Sequence, residues 1–304
     1  MTIDSTVSAS RARVAGHLVG REREIELTLA AVAAGRDIVL EGPPGTSKTT
    51  ILQAITEEWG IPLLFVEGNA DLTPAKLVGH HNPSRVLRED YSPDNFVPGP
   101  LTEAMQTGGF LYIEEFNRAP DDTLNTLLTA LADRRLAIPR VGIIEALPTF
   151  RVVASLNPYD NVGTTKLSTS ITDRLNRLSV DYQSAEAEEQ IVTLRAAPEG
   201  PLADRLITDA VAVMRATRSH AFLRQGSSVR GAIDLVAVAE QLAALREIQA
   251  INDERYPELV FDAMVVALSG RIHIDEAIDI APEAVLREIW EDHFVLDPAM
   301  AEPG

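Results

Sequence analysis

The chain has 304 residues, of which 45% are hydrophobic and none is cysteine, and a formal net charge of −18. That length accommodates two domains of ordinary size, and the absence of thiols excludes disulfides and thiolate metal sites, so a reducing, cytoplasmic compartment is expected. The acidic balance repels nucleic-acid phosphate and anionic lipid, so neither nucleic acid nor a membrane is expected as a partner. No stretch approaches the roughly 18 uninterrupted apolar residues of a membrane span, and the opening residues, MTIDSTVSASRARVAG, carry no apolar run of the kind a secretory signal needs. From Ser184 onward there are 22 acidic and 10 basic residues. That balance serves solubility and, on a sharper reading, suits a basic partner for that half.

Residues 1–16 are small and polar and predict a mobile tail. Arg21–Ala34 follows as a helix with Ile25, Leu29 and Val32 on one face. Asp37–Leu40 is a short apolar strand. It runs into Gly42-Pro43-Pro44-Gly45-Thr46-Ser47-Lys48-Thr49-Thr50, after which Lys48–Trp59 has helical spacing. Strand, tight Gly/Pro loop and helix N-terminus together make a phosphate cradle. Backbone N–H groups turn inward on an anion, and the helix adds the positive end of its dipole. Lys48 can reach the β- and γ-phosphates, and the Thr49 hydroxyl can ligate Mg²⁺. The pattern G-x-x-x-x-G-K-[ST] wants glycine where this chain has Ser47. A serine predicts ordinary backbone angles there and a slightly different approach to the phosphates. Only Lys48, Lys76 and Lys166 are lysine among 27 basic residues. A chain that otherwise uses arginine thus keeps a compact point charge in this loop.

Pro62–Val66 is the next strand. Asp71–Pro100 then forms a long connection rich in Pro, His and Asn, of a length that is usually functional. His80-His81 lies within it, but further ligands for a metal cannot be placed. After a helix at Leu101–Gln106, the apolar strand Phe110–Ile113 delivers two acids at its end. Glu114 is suited to orienting a metal's water shell and Glu115 to polarising an attacking water. Asp121–Asp133 is helical, and Leu136–Thr149, with Gly142 near its middle, predicts a hairpin. The strand Arg151–Ser155 ends at Asn157, whose amide can hold a water, and Asn176–Val180 is the last strand. Strands alternating with helices over residues 17–183 predict an α/β, doubly wound, mainly parallel sheet. From Ser184 the strand signals stop. Helical patterns at Ala185–Ala197, Asp204–Thr217, Ser228–Glu247, Glu258–Leu268 and Pro282–Glu291 predict a helical domain over residues 184–304.

The segments GPPGTSKT, FLYIEEFNRAP, VVASLNP, TDRL and GSSVRG come in the order seen in AAA+ ATPases. More narrowly the chain resembles the MoxR family, which includes activators of metalloenzymes and of Rubisco; gas-vesicle proteins are of similar type. The resemblance covers residues 17–247 and implies ATP hydrolysis with Mg²⁺, in a homo-oligomeric ring, expected to be a hexamer. It assigns Arg174, in Thr172-Asp173-Arg174-Leu175, as an arginine finger toward a neighbouring subunit, with Arg118 as rival. Arg230 becomes a sensor 2 arginine opening a lid helix, and Asn157 a sensor of the attacking water. The two insertions, Asp71–Pro100 and Leu136–Thr149, would lie near a central pore. The implied work is activation of a client protein, together with a partner carrying a von Willebrand factor A domain. A structural assembly factor of gas-vesicle type is the alternative. A nucleic-acid motor fits less well, because the insertions offer little basic character beyond Lys76, Arg85, Arg88 and Arg140.

Overall fold

In the computed structural model, residues 7–158 and 167–296 are described; Lys166 lies outside them. The chain divides into two compact units between Asp181 and Tyr182.

The first unit runs α1 (Val7–Ala15), α2 (Glu22–Ala33), β1 (Ile38–Glu41), α3 (Lys48–Trp59), β2 (Leu63–Glu67), α4 (Pro74–Val78), β3 (Gly79–His81), α5 (Pro83–Glu89), β4 (Phe96–Pro98), α6 (Pro100–Thr107), β5 (Phe110–Glu114), α7 (Asp121–Asp133), β6 (Arg135–Ile138), β7 (Gly142–Glu145), β8 (Arg151–Leu156), α8 (Thr169–Thr172) and β9 (Asn176–Ser179). Five strands pair in the order β2-β5-β8-β1-β9, and every pairing is parallel. The apolar runs of β5 and β8 are buried almost end to end. Parallel strands covered on both faces need such runs, because helices from the crossovers occupy both sides. The chain leaves β1 toward β2 on one side and returns from β8 to β9 on the other. The crevice beyond the carboxyl ends of β1 and β8 is therefore the switch point where such sheets bind ligands. Asp37, just before β1, accepts from the Val152 amide at 2.7 Å and from the Arg134 guanidinium, tying β1, β8 and the end of α7 together. Burial pushes the Asp37 carboxyl above its ordinary pKa against the pull of these donors.

The expected mobile tail is corrected for residues 7–15, which form α1. Val14 is buried, Trp59 Nε1 donates to Ser10 Oγ at 3.1 Å, and Arg13 Nε donates to Glu58 at 2.6 Å. The segment has no apolar period of its own, and its order comes from partners more than forty residues away. The long first insertion carries its own structure: β3 and β4 pair antiparallel around α5. The second is the hairpin β6–β7, and the two touch. His81 Nε2 lies 3.5 Å from the Pro139 carbonyl, and the Arg140 guanidinium sits 5.7 Å over the Tyr91 ring. His81 itself packs edge-on against Tyr91 and Phe96.

The second unit comprises α9 (Ala185–Ala196), α10 (Ala203–Ala216), β10 (Leu223–Gln225), α11 (Val229–Leu245), α12 (Tyr256–Leu268), β11 (His273–Ile274) and α13 (Pro282–Phe294). The expectation that strands end at Ser184 is corrected by β10 and β11, which pair antiparallel. Elements this short are too brief to show a period in sequence. Two acids lie buried in this unit with partners that offset their desolvation. Glu188 accepts from Arg215 and Arg218, each at 2.7 Å, and Asp209 accepts from Arg205 at 2.7 Å and Tyr256 at 2.8 Å. Among the described residues no helix is long and apolar enough to cross a membrane.

Candidate nucleotide site

The loop after β1 is shaped by close backbone contact. Gly42 donates its amide to the Leu156 carbonyl at 3.1 Å, and a Cβ on it would stand 1.9 Å from the Val180 carbonyl oxygen. No side chain fits there, which is why glycine begins the loop. Thr46 Oγ1 donates to the Pro43 carbonyl at 2.9 Å, closing the turn through Pro44 and Gly45. Lys48 opens α3 and is buried. Its ammonium donates to the carbonyls of Gly42 at 2.8 Å and Pro43 at 2.7 Å, and to Thr46 Oγ1 at 3.3 Å. The loop thus holds its own cation in place, ready to exchange these acceptors for phosphate oxygens. Thr49 lies half-buried in the first turn of α3 and Thr50 beside it is exposed.

Ser47 corrects the sequence expectation of ordinary backbone angles. Its φ is 65° and ψ 21°, in the left-handed region. The loop therefore keeps the shape that glycine would give it and stores strain at a serine; left-handed geometry costs an L-residue roughly 1–2 kcal/mol. Ser47→Gly should raise the unfolding free energy by roughly 0.5–1 kcal/mol, since glycine's greater unfolded-chain freedom takes back part of the relief. A urea midpoint below that of the wild type would show that Ser47 is not strained.

The acids arrive from β5. Glu114 ends the strand, and Thr49 Oγ1 donates to its Oε1 at 3.2 Å. Hydroxyl and carboxylate oxygens side by side are hard donors, a set that fits Mg²⁺. Glu115 takes φ 51°, again left-handed. Gly68 makes this turn possible: its amide donates to the Glu114 carbonyl at 2.7 Å, and a Cβ there would lie 2.4 Å from the Glu115 carbonyl oxygen. Strain of this kind gathers at functional positions, where neighbours over-determine the backbone. The Glu115 carboxylate pairs with Arg118 at 2.9 Å.

Two hydroxyls not anticipated from sequence join this group. Tyr112, two residues before Glu114 and on the same face of β5, is fully buried. Its Oη lies 3.1 Å from Thr49 Oγ1 and donates to Ser155 Oγ of β8 at 3.0 Å. Burial is the main cause that pushes the phenol up to about 12, so it stays neutral. The period of two along a strand is the signal that could have found Tyr112; that Thr49 and Ser155 meet it is not readable from spacing.

Asn157 is half-buried immediately past β8, one residue beyond the Leu156 carbonyl that holds Gly42. Arg174 lies elsewhere. It is exposed just before β9, and its Nη1 donates to the Ser170 carbonyl at 2.8 Å rather than pairing with Asp173. Because Asn176 N donates to Asp37 O at 2.9 Å, β9 starts beside the start of β1, at the sheet edge opposite the phosphate loop. Arg230 is exposed in the first turn of α11, in the second unit.

The AAA domain (dynein-related subfamily) family matches residues 37–175. The chain is 32% identical to protein CbbQ of Hydrogenophilus thermoluteolus over 70% of its own length and 77% of that protein. The chain belongs to the MoxR-type AAA+ ATPases. It is also 27% identical to the gas vesicle ATPase GvpN of Ancylobacter aquaticus, over 86% of this chain and 76% of that one. The Thermotoga maritima RuvB Holliday junction branch migration motor shares the fold, with a TM-score of 0.51 at 20% identity over 82% of this chain and 70% of that one. As a MoxR-type AAA+ protein the chain hydrolyses ATP and uses ATP with Mg²⁺.

Proposed function

We propose that this MoxR-type ATPase is a cytoplasmic ring-forming remodelling motor, a hexamer, that activates or assembles a client protein together with a von Willebrand factor A domain partner. Residues 42–50 cradle the phosphates, with Lys48 supplying the charge on their oxygens. Thr49 and Glu114 would hold Mg²⁺, Glu114 through water, and the bound ion would supply positive charge at the phosphates. Glu115 takes the proton of the attacking water, and Asn157 orients that water. Arg230, in the first turn of α11, couples the nucleotide's state to the helical lid domain, residues 184–304. The paired insertions, carrying exposed Leu87 and Ile143, present the working surface to the client.

The observation that carries the ring is the position of Arg174. A four-residue strand separates the start of β9 from the level of the phosphate loop, a span of about 10 Å. At that opposite edge the guanidinium serves a neighbour's nucleotide better than its own, and its freedom from any carboxylate among the described residues leaves it available. Mixing Arg174→Ala subunits with Glu115→Gln subunits should therefore restore part of the ATPase activity that each pure protein lacks. A finger of this kind is worth about 10³ in rate, and mixed rings contain interfaces with both intact residues. Mixed rings, verified by native mass, that stay inactive at every ratio would mean that Arg174 acts in cis or that ring-wide cooperativity hides the complementation, and a nucleotide-bound structure with Arg174 away from every neighbour's γ-phosphate would move the finger to Arg118. The gas-vesicle relative supports assembly of a structure as the second reading of the work done. The −18 charge speaks against a nucleic-acid motor, and salt-dependent DNA binding is its test.

A further inference from the structure

We propose that Tyr112 is a positioning residue for the divalent cation, acting through the hydroxyl of Thr49. The inference rests on the reading of Thr49 and Glu114 as the residues that hold the metal. A phenol has one proton, and Tyr112 gives it to Ser155, which is itself buried and lies at 3.0 Å, closer than the 3.5 Å to Glu114 Oε1. Its oxygen is thereby left as an acceptor facing Thr49 at 3.1 Å. Glu114 Oε1 stands 3.2 Å from the same hydroxyl. Thr49 thus meets two acceptors on its inner side; with Glu114 turned to the metal's water shell, the Tyr112 oxygen is the one that keeps the single Thr49 proton pointing inward. The lone pairs of Thr49 Oγ1 are left for a ligand on the other side, which is the state a metal-binding hydroxyl must adopt.

A phenylalanine would fill the same volume in β5, where Phe110, two residues earlier on the same face, is apolar and buried. The hydroxyl is therefore not needed for packing. It sits between an α3 residue and a β8 residue and sets the rotamer of one threonine. Partners of metal ligands at this remove typically cost 10–100-fold in metal affinity when lost.

The test uses the full chain with Mn²⁺ as probe, its free concentration read by electron paramagnetic resonance in the presence of ADP. ADP affinity in EDTA is measured alongside. Tyr112→Phe should weaken Mn²⁺ binding about tenfold and leave ADP affinity in EDTA unchanged, which a merely structural role would not do. Unchanged Mn²⁺ affinity, or an equal loss of ADP affinity in EDTA, overturns the assignment. Should Tyr112→Phe fail to fold, Ser155→Ala decides. It removes the acceptor of the phenol proton, and a smaller Mn²⁺ loss of the same sign is expected; no loss overturns the proposal. Wild-type protein that binds no ADP would instead overturn the nucleotide-site reading itself, and this inference with it.

Discussion

Glu115→Gln protein should bind ATP as tightly as the wild type and release phosphate at least about 10²-fold more slowly, the lower end of what a general base contributes. The amide keeps the volume of the carboxylate, and its oxygen can still accept from Arg118, now 2.9 Å from the acid. What it loses is the capacity to take a proton from water. The left-handed backbone at Glu115 is held by Gly68 and the β2–β5 pairing, not by the side chain, so the turn survives the substitution. Steady-state phosphate release together with equilibrium ATP titration measures both halves of the statement. Turnover at the wild-type rate would transfer the base to Glu114 or another acid. Weak ATP binding would mean that the carboxylate shapes the pocket as well.

Lys48→Ala should lose at least about 10² in ATP affinity, since each hydrogen bond to a charged group is worth about 1.5–3 kcal/mol and two phosphates are addressed. Among the described residues nothing at the loop replaces the charge: Arg118 lies on the turn after β5, paired with Glu115, and Arg174 stands at the opposite sheet edge. The same ammonium satisfies the Gly42 and Pro43 carbonyls. Its removal leaves buried acceptors without their donor, at a cost of about 1–3 kcal/mol in stability. Lys48→Met, which keeps the buried stem and loses only the charge, separates the two effects when thermal unfolding and isothermal titration are run on both variants. Wild-type affinity in a folded Lys48→Met protein would remove the phosphate loop from the nucleotide site.

Both substitutions target residues that are legible in the sequence. The loop Gly42–Thr50 announces itself because a strand, a tight turn and a helix start are each short-range patterns, and all three agree. Glu114 and Glu115 stand out as charges ending an apolar strand. The helices of the second unit follow from their spacing, and α11 and α12 occupy the stretches where helices are expected. Residues whose meaning depends on a distant partner are not legible in this way. Ser47 reads as an ordinary serine, yet the shape demanded by Gly42, Val180 and the start of α3 holds it where glycine belongs. Residues 7–15 have no apolar face of their own and are helical because Trp59 and Glu58 receive them.

What the sequence by itself determined, then, is the chain order of the five main-sheet strands and of the longer helices, the phosphate loop and the acids of β5. Each is written in the spacing of near neighbours, where backbone period and turn chemistry act over a few residues. Tertiary structure alone decided that Tyr112, Thr49, Glu114 and Ser155 share one hydrogen-bonded group, and that Arg174 stands at the sheet edge away from its own loop. Thr49 and Ser155 are drawn from separate elements around Tyr112. Their meeting depends on the parallel order β2-β5-β8-β1-β9 and its register. Strand order and register are set by burying apolar faces across the whole sheet, and spacing within any one segment does not encode them.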